Sequence, residues 1–182
     1  MYVKLFFNGI GHVYGDENTV FLFLQEEKGM QFLSVPTDVE TINSIKKYVA
    51  AGEKNKDTLP AVMWKLLMQN DDRLLQIKID SIENGMCKCS LFDMFSRHTY
   101  ELQPSDAVLL SIISRMPIYI EHSLFIANSI VPMEDNAKMV LPISQMNDTL
   151  LRKALDKAVE SENYEQASKL QEELNRRKQN KQ

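Results

Sequence analysis

The chain has 182 residues, of which 44% are hydrophobic, enough to bury one substantial core and a small appendage. Its formal net charge of −4 and pI near 5.4 exclude a uniformly basic nucleic-acid binder, because phosphate affinity comes largely from counterions released by Lys and Arg. Contact with DNA or RNA therefore calls for a local basic patch or a metal ion.

The opening run Met1-Tyr2-Val3-Lys4-Leu5-Phe6-Phe7 reads as a strand. Asn8 and Gly9 end it too soon for a signal-peptide core or a membrane span, so a cytoplasmic protein with no membrane partner is expected. A second strand covers Thr19 to Leu24, and Phe32-Leu33-Ser34-Val35 feeds a helix running from Thr37 or Asp38 to Ala50. Asp57-Thr58-Leu59-Pro60 leads into another helical stretch, Val62 to Leu67. Leu74-Gln76-Ile77-Ile79 and Met86-Cys87-Cys89-Leu91 form two strands about Asn84-Gly85, a hairpin turn pair. Cys87 and Cys89 then share a strand face, which suits core packing, and the chain has no further cysteine to complete a thiolate metal site.

Arg97 and His98 fall between Phe95 and Tyr100 on a predicted strand, where a cation among aromatics suits tracking of single-stranded nucleic acid or plain alternation across a sheet. From Gln103 to Met116 the pattern is helical, with Val108, Leu109, Ile112 and Ile113 recurring at helical spacing, Ser105 or Asp106 placed to cap, and Pro117 ending the helix beyond Arg115-Met116. Ile118-Tyr119-Ile120 is a short strand, Glu121 and His122 follow it, and Leu124 to Ala127 reads as a short helix. Residues 131 to 146 lack periodicity and read as a linker. Then Leu150, Leu151, Ala154, Leu155 and Ala158 form one apolar stripe and Ala167, Leu170 and Leu174 another, about a turn at Glu162-Asn163-Tyr164.

The expected architecture is α+β: a mixed, mostly antiparallel sheet with helices packed on it over residues 1–130, a linker at 131–146 and a helical hairpin at 147–182. Asp106, Glu121, Asp38 and Glu40 all stand at helix or strand ends, where a fold that joined those ends would assemble carboxylates for metal-assisted hydrolysis. Capping and dipole complementation suit the same positions. His122, beside Glu121, is the acid–base candidate, or simply the start of its helix. Arg97, His98 and Arg115 are the candidate cations for nucleic acid.

Pro104-Ser105-Asp106-Ala107, an apolar helix and then Pro117-Ile118-Tyr119 resemble the end of the bifunctional nuclease domain, a bacterial and plant family credited with DNase and RNase activity. The order of strands and helices upstream resembles it too. Departures include Gln103 where that family usually has arginine, and no histidine in the stretch before Val62. Ala158-Val159-Glu160-Ser161-Glu162-Asn163-Tyr164-Glu165-Gln166-Ala167-Ser168-Lys169-Leu170-Gln171-Glu172-Glu173-Leu174 resembles the UVR motif of excision-repair nuclease subunits and protease adaptors. The two resemblances imply a nuclease acting on DNA or RNA; a divalent cation such as Mg or Mn, if that chemistry uses one, is expected on Asp106 and Glu121 from their places at a helix start and a strand end. They also imply a tail that takes a protein partner through Tyr164, Ala167, Leu170 and Leu174, and a homo-oligomer. The competing expectation is a non-catalytic adaptor that works through the hairpin.

Overall fold

A computed structural model gives the fold and describes residues 1–13, 16–27, 29–51, 58–69, 74–83, 85–130, 133–135, 138–141, 143, 146 and 148–179. Asp57 and Asn84, singled out in the sequence, lie outside these residues, as does part of the 131–146 segment. The elements in chain order are β1 (Tyr2–Val13), β2 (Asp16–Glu26), β3 (Phe32–Thr37), α1 (Val39–Ala51), α2 (Leu59–Leu67), β4 (Leu75–Glu83), β5 (Met86–Asp93), β6 (His98–Leu102), α3 (Pro104–Ser114), β7 (Ile118–Glu121), α4 (His122–Asn128), β8 (Met133–Asp135), β9 (Lys138–Leu141), α5 (Asp148–Glu160) and α6 (Tyr164–Gln179). The fold is mixed, with a mostly antiparallel sheet in the order β3-β2-β1-β7-β4-β5-β6 and two helices forming a hairpin at its end. Only the β4–β7 and β1–β9 pairs are parallel among the described strands.

β2 organises the interior. Its run Phe21-Leu22-Phe23-Leu24 is fully buried on both faces, as a continuous apolar strand with no alternation requires. Because side chains alternate with period two, Leu22 and Leu24 enter one core with Leu33, Val35, Ile42, Ile45, Ala107 and Val108, under α1 and α3. Phe21 and Phe23 enter a second core with Leu150, Leu151, Ala154, Ala158, Ala167, Leu170 and Leu174 of α5 and α6. Phe23 also meets Phe32 edge to face, with ring centroids 6.3 Å apart.

The hairpin's apolar stripes are therefore covered by the chain's own sheet. Ala167, Leu170 and Leu174, expected as a partner edge, are buried there, and of that set only Tyr164 is exposed, at 69%. Arg177 fastens the far end of the hairpin: Nη1 donates to Met146 O at 2.6 Å and to Asp148 Oδ1 at 3.1 Å, while Nε donates to Glu173 Oε1 at 2.8 Å. Glu173 receives Arg176 as well, through two bonds of 2.8 Å. The Arg176 hydrogen bonds, helped by Arg177, hold the Glu173 carboxyl down at about 2.

Three expectations are corrected. The connecting segment 131–146 carries β8 and β9, and β9 pairs in parallel with Gly11–Val13 of β1, extending the sheet. Arg97 sits in the turn between β5 and β6 rather than on a strand, with φ 55°, and Asp93 organises that turn by accepting the Phe95 N–H at 2.9 Å. Neither Ser105 nor Asp106 caps α3: Gln103 occupies the N-cap with extended backbone and no side-chain bond, because Pro104 takes the first helical position. By contrast, the β4–β5 turn places Gly85 at φ 75°, which glycine adopts without strain, and Cys87 and Cys89 are buried in the first core, their thiols pushed up to about 12 by burial. Neutral thiols of that kind serve packing.

Truncation of Leu170 to alanine, in the centre of the second core, should cost about 2–5 kcal/mol, read as a lowered denaturation midpoint in urea. Glu173 provides a pH test. Its folded-state value lies below the ordinary 4.5, so its stabilisation is complete above pH 4.5 and is lost as pH falls towards 2. Thermal melts of Glu173→Gln should lie below the parent at pH 7 and converge with it across that window.

Candidate active site

Two helix beginnings meet beside β2. β3 pairs with β2 up to Thr37↔Val20, and the chain turns at once into α1. Asp38 caps that helix by the expected route: its Oδ1 accepts the Thr41 N–H at 2.7 Å, and the Thr41 hydroxyl donates to Oδ2 at 2.9 Å. These bonds, the backbone one foremost, hold the Asp38 carboxyl below the usual carboxylate range and so keep it ionised. Glu40 follows in the same turn, exposed. α3 is brought alongside by Ala107 and Val108, both buried in the first core.

A groove of about 570 Å³ runs between the two beginnings, lined by Asp38, Val39, Glu40, Thr41, Ser44, Ile45, Ser105, Asp106 and Leu109. Asp38, Glu40 and Asp106, three of the expected acids, thus face one space. Asp106 is exposed and, α3 having no side-chain cap, its carboxylate is not consumed by its own helix. Among the described residues no group of three or more His, Cys, Asp or Glu is arranged to hold a metal ion. The acids line a groove without forming a ready three-ligand cage.

Glu121 and His122 are elsewhere. Glu121 ends β7 opposite Tyr2, and its Oε1 accepts the Ser123 hydroxyl at 2.9 Å; the His122 N–H donates to Met1 O at 3.0 Å. Neither belongs to the described lining of the groove, where Asp106 stands with the α1 acids. The expected cations are also dispersed. Arg115 closes α3 in the left-handed region at φ 59°, about 13 Å of helix away from Asp106. Arg97 belongs to the β5–β6 turn, and His98 lies on β6 with its ring 5.7 Å from that of Tyr100.

The cations beside the groove come from the hairpin. An adjoining cleft of about 430 Å³ shares Asp38 and Ser105 with the groove and is walled by Lys153 and Lys157 of α5. The sequence marks these lysines only as polar positions of an amphipathic helix; what could have found them is their i,i+4 spacing beside the Leu150–Ala154 stripe, once that stripe's cover was known.

Fold and groove define a mixed α/β protein whose acids converge where two helices begin. The family model described as the bifunctional nuclease domain matches residues 22–133, which include β2 from Leu22 onward, α1, α3 and the whole groove. The chain belongs to that family. No curated protein matches it. No described helix is long and apolar enough to cross a membrane.

The Asp38 cap offers a direct check. In a carboxyl carbon NMR titration Asp38 should ionise below the ordinary 3.8, and Thr41→Val, which removes the hydroxyl donor but leaves the backbone one, should move it part of the way back.

Proposed function

We propose that the protein is a nuclease that hydrolyses phosphodiester bonds of DNA or RNA in the groove between the α1 and α3 beginnings. The observation that carries this reading is the convergence of Asp38, Glu40 and Asp106 on one groove within the segment matched by the bifunctional nuclease model. Phosphodiester hydrolysis needs a positioned water and stabilisation of charge on the phosphate. Asp106, uncommitted to capping, is the carboxylate assigned to the water or to a cation that carries it; Asp38, committed to Thr41, holds the α1 turn in place. Ser105, in the same lining, is a donor for a phosphate oxygen.

A second reading, an interaction protein without catalysis, is favoured by the outward-facing Tyr164 and Val159 at the hairpin turn, 69% and 52% exposed. In either case a partner of the UVR-like tail would engage this turn, since Ala167, Leu170 and Leu174 are spent on the second core. Homo-oligomers and a cytoplasmic setting belong to the same proposal.

Cleavage of labelled single-stranded RNA, single-stranded DNA and duplex DNA by purified protein, with Mg2+, Mn2+ or EDTA, tests it. Asp106→Asn should lower the rate by about 10²-fold or more with the fold retained. Loss in Glu121→Gln instead would move the site to the β7–α4 junction, and no cleavage with any substrate would favour the interaction reading.

A further inference from the structure

The cleft next to the acid groove has an unusual wall. α5 is seated on Phe21 and Phe23 through Leu150, Leu151, Ala154 and Ala158, so its rotation about its own axis is set by packing. Residues four apart share a helix face, and Lys153 and Lys157 are thereby held together on the flank that lines the cleft. The same cleft is lined by Gln103 and Ser105 at the start of α3, by Thr19 in the first half of β2 and by Thr37 at the end of β3. The Oγ1 atoms of both threonines are buried without a hydrogen-bond partner among the described residues, although buried hydroxyls ordinarily have one. The cleft's size of about 430 Å³ is that of a small-ligand site. Its Asp38 carboxylate is occupied by the Thr41 donors of its own turn. Two cations against that one carboxylate leave the wall net positive, and with the Gln103 amide and the Ser105 hydroxyl beside them it suits an oxygen-rich anion.

We infer that this cleft is a phosphate subsite in which Lys153 and Lys157 of the hairpin hold the nucleic-acid backbone next to the phosphodiester presented to Asp106. The identity of the anion as a nucleic-acid strand rests on the nuclease reading. The lysines are positioning residues: they bind the strand and touch no reacting atom. The hairpin thus completes the substrate surface of the domain on which it packs, supplying cations to an otherwise acidic groove.

The test uses the full chain and a labelled single-stranded RNA oligonucleotide. Binding is measured in EDTA across a salt series for the parent, Lys153→Gln/Lys157→Gln and Lys153→Arg/Lys157→Arg, and steady-state cleavage is measured for the same proteins. Glutamine keeps the helix propensity of lysine, and unchanged melting curves confirm that the hairpin is still docked. The glutamine pair should bind about 10-fold more weakly, with the slope of log K against log salt reduced by about 0.7 to 1.4. KM should rise with kcat unchanged, and the arginine pair should restore binding. Parent-like binding and KM in the glutamine pair, with cleavage intact, would overturn the subsite and leave the nuclease reading standing. Lysine-dependent binding without cleavage in any protein would overturn the nuclease reading and keep the subsite. No binding by the parent would overturn the subsite.

Discussion

The structure depends on a single strand being buried on both sides. β2 sends Leu22 and Leu24 into the core beneath α1 and α3, and Phe21 and Phe23 into the core beneath α5 and α6. Four large side chains in succession leave no face for water, so the strand is stable only when a layer covers each side. That requirement explains why the hairpin lies on the sheet rather than apart from it. Arg177, reaching from α6 back to Met146 and Asp148, ties the hairpin to the segment that leads into it.

The groove inherits its geometry from the same strand. β3 ends at Thr37 opposite Val20 of β2, which fixes where α1 starts, and the first core draws α3 to the same place through Ala107 and Val108. Both helix beginnings therefore lie on one side of β2 while α5 is held on the other. The cleft between them is bounded by Thr19–Phe21, the segment of β2 that contacts both layers. Along the groove and the cleft the acids come from the α1 and α3 layer and the lysines from the hairpin.

Much of this was legible in the chain. The unbroken apolar run Val20–Leu24, the Pro117 stop after α3 and the two stripes of the hairpin are local signals, and local signals set local structure. Asp38 was readable as a cap and is one. Asp106 was misread as a cap, because Pro104 at the first helical position moves the boundary back to Gln103. β8 and β9 were missed because β9 pairs in parallel with the far end of β1, a contact made at long sequence separation with no trace in periodicity. The apolar stripe of the hairpin announced that it would be covered, but a stripe does not name its cover. For the same reason nothing in the sequence singles out Lys153 and Lys157, and Glu121, which shares a chain neighbourhood with α3, pairs with Asp106 in a reading of the chain although the groove takes its other acids from α1.

The distance in sequence between Phe23 and the helices that cover it sets an order of events during biosynthesis. Domains begin to fold as the chain emerges, N-terminal parts first. β1, β2, β3 and the first core can assemble once α4 has emerged with Phe125, yet Phe21 and Phe23 lie bare on the outer face until α5 and α6 follow. For that interval the nascent protein carries a sticky aromatic patch whose proper cover is still being made, and the speed of translation through residues 129–179 sets how long it stays open to chaperones and to other chains.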